Sequence, residues 1–579
     1  MILFSVQAKL PSRQHIRLLG NLEQLGKWSP FDSLKLQPSS VDCSSVRTWS
    51  INVDITTKTN VSFRYFICED ILESDQDAFS IVKCGPRQES PVLDKIVGEL
   101  IEIDDPTWCD GWLLRDSEVR LTVHNASGFP INLFEEKSGP GKYTIKVTPM
   151  DKNKSLGCFS CRNASDVNVK IVGEYSCIVE NQKESGVCYN PCKHYSFCTR
   201  VLDPNDTVFK VEICLVDGPP GEEVIVRTIG QGFIKPIDLK SSCGVIDVGL
   251  VHKDSPAGSL HVEYIIIKPL EDKHLHNVDD WMDRNWQNTG RTLNMGHRGC
   301  GSTFGSGRPG VQENTIESFL MAYEKGADGL ELDVHVTKDR QPVIYHDLYL
   351  KVPLKTKNGA KCSRRIPVFD FTYQELQDLQ ITHTESIELN DELQNRSSLP
   401  LKLFPTLEEV LNALPETFPF ELEIKYLETE KDQEEDDFLD VNVYVDTLLK
   451  SIFKNIGKRK IILMCFSPVI VQLLSRKQKK LPVKIAVCGE TEKYPVYRDT
   501  RIRTVGGVVA FAESENILGI SCFCDHVIQN KEVLHEIRKR NLVLSTWGED
   551  DNKDEIREKQ RQMGVNVLCF DRIHEASLS

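Results

Sequence analysis

The chain changes rhythm near residue 290, and that change limits its fold more than any other feature. Beyond it, apolar runs of strand length recur near 293–296, 329–334, 420–424, 461–466, 483–487, 505–511, 517–522, 541–546 and 564–569. Helical patterns separate them. In "ENTIESFLMAYEKGADG", Ile316, Phe319, Leu320 and Tyr323 share one helix face. Asn314 is the expected N-cap, with Glu317 three residues on, and Gly326 the expected stop. A repeated strand–helix unit over residues 291–579 is the pattern of a single (β/α)₈ TIM barrel, for which ~250 residues is usual.

Before residue 271 the period is two. Trp49, Ile51, Val53 and Ile55 alternate with polar residues, as do Val61, Phe63, Tyr65 and Ile67, which predicts an antiparallel β-sandwich over 1–112. The same alternation in Val119–Val123, Phe209–Leu215 and Leu260–Ile266 predicts a second β-rich domain over 113–270, joined to the barrel by a polar linker, 271–290. The expected molecule is therefore multidomain.

Composition removes several classes of function. A formal net charge of -15 argues against nucleic acid as a partner, since counterion release needs a basic surface. The longest apolar runs have strand length, so no transmembrane segment is expected. The start, "MILFSVQAKLPSRQ", lacks the basic and long apolar regions of a signal peptide, and 19 cysteines fit reduced thiols better than a disulfide framework. A cytoplasmic location is the expectation. "CFSC" (158–161) and "CYNPCKHYSFC" (188–198) are spaced too irregularly for a zinc site, and "RKQKK" (476–480) reads as a solvated helix face.

The chemistry gathers at strand ends. Glu331 and Asp333 of "LELDV" share one side of a strand, and Glu423 and Lys425 of "FELEIK" share one side of the next. In a parallel barrel the strand ends converge on one face, where active sites form. Three carboxylates meeting there repel one another unless a cation lies between them. An all-oxygen donor set favours Mg²⁺ or Ca²⁺ over zinc. His297 and Arg298 follow the first strand, and His346 closes the segment after Asp333. Two histidines beside a metal can act as base and acid, while arginine and lysine suit an anionic group such as phosphate. The set suits metal-assisted cleavage of a phosphodiester.

"GHRG", "QENTIESFLMAYEKGADGLELDVHVTKDRQPVIYHD", "LFPTLEEVL" and "FELEIK" together resemble the glycerophosphodiester phosphodiesterase family over roughly 291–579. The resemblance implies a TIM barrel, a divalent metal on Glu331, Asp333 and Glu423, and acid/base roles for His297 and His346. It also implies phosphate contacts from Arg298 and Lys425, and a substrate-side place for Trp547 in "LSTWGED". The expected reaction is hydrolysis of a small-molecule glycerophosphodiester, foremost glycerophosphocholine, to glycerol 3-phosphate and the free alcohol. Two alternatives stand beside it. One is a lysophospholipase D, if the enlarged loop "GSTFGSGRPG" (301–310) forms an apolar wall. The other is a glycogen-binding or scaffold protein whose barrel activity is secondary. The acidic run 427–440 is read as a solvated loop, with attraction of a cationic alcohol as its sharper alternative.

The first domain is similar to starch-binding modules of the family-20 carbohydrate-binding type, on "IRLLGNLEQLGKWSP", "TWSINVDI" and "VSFRYFI". That implies glycogen or another α-glucan as partner, met by an exposed Trp28. A second sugar-stacking tryptophan would lie near 70–85, where "EDILESDQDAFSIVKC" has none.

Overall fold

The structure is a computed structural model. It describes residues 2–576 apart from 12, 40–46, 56–60, 73–74, 86, 91–95, 101–108, 126–127, 135–142, 152–166, 218–224, 277–290, 303–310, 356–360, 380–402, 427–438, 495 and 498. The acidic run, the first-loop insertion and Cys158 and Cys161 therefore lie wholly or largely outside the described residues, whereas Cys188 and Cys192 are exposed free thiols.

Two sheets form the first domain. One has four strands, with Ile2–Ala8 paired antiparallel to Arg47–Val53 and parallel to Ile96–Leu100. The other is built around Gln14–Gly20, Val61–Leu72 and Asp75–Cys84. Phe4, Leu18, Trp49, Phe63 and Tyr65 fill the space between, as the alternation predicts. The middle region is one 11-stranded sheet running from Ser117–Val123 to Ser255–Ile267, with every recorded pairing antiparallel.

Eight parallel strands close the barrel: β1 (Leu293–Gly296), β2 (Gly329–Val336), β3 (Phe420–Ile424), β4 (Ile461–Cys465), β5 (Val483–Val487), β6 (Gly519–Phe523), β7 (Val543–Trp547) and β8 (Val567–Phe570). Each pairs with the next, and β1 pairs with both β2 and β8. The strands are buried on both faces, which explains the continuous apolar run of β4, while β2, β3 and β5 interrupt theirs with the charged residues Glu331, Asp333, Glu421, Glu423 and Lys484. Among the described residues, no helix is long and apolar enough to cross a membrane.

Four expectations need correction. Residues 505–511 are not a strand but the start of helix Val505–Glu515, in which Val505, Val508, Val509, Phe511 and Ala512 are all buried. A helix covered all round shows no polar stripe, so periodicity cannot tell it from a strand. Its outer face packs on the hairpin Asn168–Gly173/Ser176–Asn181 of the middle sheet. The charges of "RKQKK" are not wholly solvated. Lys477 is fully buried and 2.7 Å from Asp446, and Arg476 Nε donates to Glu118 at 2.9 Å. Trp28 is not exposed. It is 3% accessible, packed among Leu19, Phe66, Phe79 and Trp112, with the Arg87 guanidinium 5.1 Å from its ring centroid. The chain leaving the domain at Trp112 and Leu114 joins that cluster, so the ring has no free face for a sugar. Asn314 does not cap the helix Ile316–Glu324. Thr315 does, accepting from the Ser318 N–H, and Asn314 stands one residue earlier at φ 56°.

Candidate active site

The register of β2 and β3 sets the site. Across their parallel ladder Glu331 stands opposite Glu421 and Asp333 opposite Glu423, so four carboxylates enter the barrel in two rows. The lower row is neutralised in part from β5, where fully buried Lys484 lies 2.6 Å from Glu421. In the group Glu331, Asp333 and Glu423, one oxygen of each lies within 4.8 Å of the others. Glu331 and Asp333 are buried, at 2% and 1% exposure.

Cations offset only part of this charge. Lys425 Nζ is 2.9 Å from Asp333 Oδ1 and also pairs with Glu423. Arg298, at φ 51° just beyond β1, donates its backbone N–H to Glu331 Oε2 at 2.9 Å. Its guanidinium reaches Glu313 at 3.0 Å and approaches Asp333 at 3.7 Å. Asn314 Nδ2 donates to Asp333 Oδ2 at 2.7 Å, the contact for which its left-handed backbone positions it. Burial alone would lift the Asp333 carboxyl, but Lys425, His346 and Arg298 outweigh it and hold the group well below the usual range. Glu331 goes the other way. Burial, then Asp333 and Glu423, pushes its carboxyl well above the usual value, and its Oε1 is buried without a hydrogen-bond partner.

That orphaned oxygen is the test of whether a metal fits. Two oxygens on opposite sides of a cation at ~2.4 Å lie ~4.8 Å apart, so the three carboxylates can share one hard divalent ion. The donor set is all oxygen, buried and short of positive charge. It fits.

Both histidines lie beside this group. His297 Nδ1 is 2.6 Å from Asp571 Oδ1, and its Nε2 accepts from Arg298 Nε at 3.3 Å and lies 4.0 Å from Glu331. His346 Nδ1 is 2.9 Å from Asp347, and burial followed by Arg298 and Lys425 pushes its pKa down. Asp571, Asp347, Glu313 and the role of Asn314 escaped the sequence reading. Asp571 directly follows β8, so the strand-end argument applied to the last strand would have found it.

His297, Arg298, Glu331, His346, Glu423 and Lys425 line one cavity of about 490 Å³. Aromatic rings line it as well. Trp547 at the end of β7 lies 5.9 Å from Phe466 and 5.5 Å from Tyr494, and Tyr497 is 6.2 Å from Phe466, ring centre to ring centre. The Trp547 indole N–H is buried without a hydrogen-bond partner. Lys351 and Arg365, from the hairpin Tyr349–Lys355/Lys361–Pro367, edge the opening. Of the expected site residues, the structure gathers all but Trp28 here.

Residues 297–575 match the glycerophosphoryl diester phosphodiesterase family, and residues 1–80 match the starch binding domain. The chain is 27% identical to the glycerophosphocholine phosphodiesterase GPCPD1 of Homo sapiens, over 99% of this chain and 90% of that protein. The Mus musculus protein of the same name is 27% identical with the same coverage. The glycerophosphocholine phosphodiesterase GDE1 of Candida albicans is 28% identical over 55% of this chain and 31% of that protein. The match falls on the barrel that holds the carboxylates and histidines, and by it the chain carries a glycerophosphoryl diester phosphodiesterase domain over residues 297–575.

Proposed function

We propose that the chain hydrolyses glycerophosphocholine to glycerol 3-phosphate and choline, with Mg²⁺ or Ca²⁺ held by Glu331, Asp333 and Glu423. The observation that carries the choice of substrate is the cluster of aromatic rings lining the cavity. Phe466, Tyr494, Tyr497 and Trp547 line the same cavity as the charged centre, and aromatic faces attract a quaternary ammonium that cannot shed its charge. The names of the full-length relatives agree with this choice.

The bound cation would offset phosphate charge and favour attack by an oxygen nucleophile. Arg298 and Lys425 add positive charge on the same side of the substrate, Arg298 with the planar fork that suits two phosphate oxygens. For His297, a proton on Nδ1 facing Asp571 leaves Nε2 as the acceptor, which takes the Arg298 Nε–H here and would take a proton from the reacting groups in its place, and Asp347 orients His346 through its Nδ1. Burial of Glu331 and Asp333 keeps water from screening these charges. An α-glucan contact by residues 1–112 would need a surface other than Trp28.

Product analysis with purified protein, glycerophosphocholine and Mg²⁺ tests the proposal. Glycerol 3-phosphate and choline are expected, and neither should form with Glu331→Ala. Replacing His297 or His346 by Ala should lower turnover by roughly 10²–10⁴-fold. Release of phosphocholine and glycerol instead would mean that the opposite ester bond is cut.

A further inference from the structure

We infer that the middle β-rich domain is a positioning element for the substrate cavity, acting through His194 on the loop that carries Tyr494 and Tyr497. This loop, the 17 residues between Val487 and Val505, leaves β5 on the active-site face. Connections longer than ~12–15 residues are uncommon in compact domains, and ordering one costs conformational entropy. Within the barrel the loop is held by ring contacts of Tyr494 with Trp547 and of Tyr497 with Phe466, by buried Ile502 and by two polar contacts. Arg503 Nε donates to the Tyr497 carbonyl at 2.7 Å, and the Tyr497 hydroxyl lies 3.6 Å from Cys488 Sγ.

A second set of contacts comes from the middle sheet. His194, at the start of strand His194–Val201, meets the Thr500 hydroxyl through its Nε2. Its ring is stacked on His124 with centres 4.5 Å apart, and His124 Nε2 is 3.0 Å from Glu263. Thr500 opens a short turn, Thr500–Ile502, in which Asp499 accepts from the Arg501 backbone N–H at 2.9 Å and from its guanidinium. Tyr497 lies three positions before this anchor. The same sheet also grips the loop's far end. Thr504 donates to Glu174 at 2.7 Å, and Tyr175 N–H donates to the Gly506 carbonyl at 3.2 Å. A loop tied at both points holds its tyrosines in place before substrate arrives, so less ordering is left to binding.

The kinetic arm rests on the proposed hydrolysis of glycerophosphocholine, so the decisive measurement is one that needs no activity. In full-length protein, His194→Ala should speed amide exchange over residues 488–504 by about 10-fold, while β1–β4 exchange as before. Thr500→Val removes the same contact from the barrel side and should reproduce the effect; it decides the matter alone if the histidine variant does not fold. Unchanged exchange in folded variants overturns the inference whatever the enzyme cleaves. In kinetics, both variants should raise KM for glycerophosphocholine about 3–10-fold with kcat within twofold. They should leave KM unchanged for glycerophosphomethanol, whose leaving group lacks the quaternary ammonium that aromatic faces attract. Equal effects on the two substrates, or a fall in kcat for both, would mean general loosening and overturn it as well. Absence of turnover in the parent would defeat the functional reading alone, since the exchange result would still stand.

Discussion

Asp551 is fully buried in the turn after β7, where Gln560 donates to its Oδ1. Burial pushes its pKa from 3.8 to about 7. Between those values the unfolded chain releases a proton that the folded chain keeps, so folding stability falls as pH rises from about 4 to 7. Asp551→Asn keeps an acceptor for Gln560 and removes the charge. It should stabilise the protein at pH 7 by up to ~4 kcal/mol, with the gain vanishing near pH 4. Denaturant unfolding of both proteins at several pH values checks this. A lone buried aspartate is not visible in sequence, and other single residues misled for similar reasons. Trp28 stands in the expected "LGKW" pattern, but which side of its ring is covered depends on Trp112, far along the chain. Asn314 has the composition of an N-cap, yet the neighbouring Thr315 takes that place and frees Asn314 to hold Asp333. Glu331, Asp333 and Glu423 were legible because strand alternation and parallel register are nearly deterministic once strands are recognised.

At the scale of elements, the helix Val505–Glu515 is the informative failure. Its exposed face is missing because the middle sheet covers it, and the seam is charged as well as apolar. Arg120 reaches Glu515 at 2.6 Å and Lys170 reaches it at 2.7 Å, all largely out of water. Removing the shared acid leaves two cations short of a partner in a desolvated place. Glu515→Ala should therefore cost about 3–5 kcal/mol in equilibrium unfolding, well beyond the ~0–1 kcal/mol of an exposed pair. The hairpin Tyr349–Lys355/Lys361–Pro367 also went unread. It is a two-stranded sheet outside the barrel, so no repeat announced it. The eight barrel strands were legible because burial on both faces keeps them predominantly apolar, with charge admitted mainly where it faces the barrel interior, as at Glu331, Asp333 and Lys484.

Seen as a whole, the molecule has a boundary in sequence near residue 290 that its packing does not respect. Leu113, Val172, Ile265, Ile267 and Leu270 belong to the same buried apolar cluster as the barrel helices, and Glu118 receives Arg476 from the far side. A fragment comprising 291–579 should accordingly be poorly soluble and have a lower unfolding temperature than the full chain, which expression and thermal scanning of the two proteins would reveal. The covered helix has a consequence for the history of the gene. A barrel helix with a wet face accepts almost any polar substitution there; one with no wet face accepts few, and each must suit two domains at once. Shuffling this barrel onto a new neighbour would require rewriting residues 505–515 first, so the middle and last domains are expected to descend together even where the starch-binding-like module is lost or exchanged.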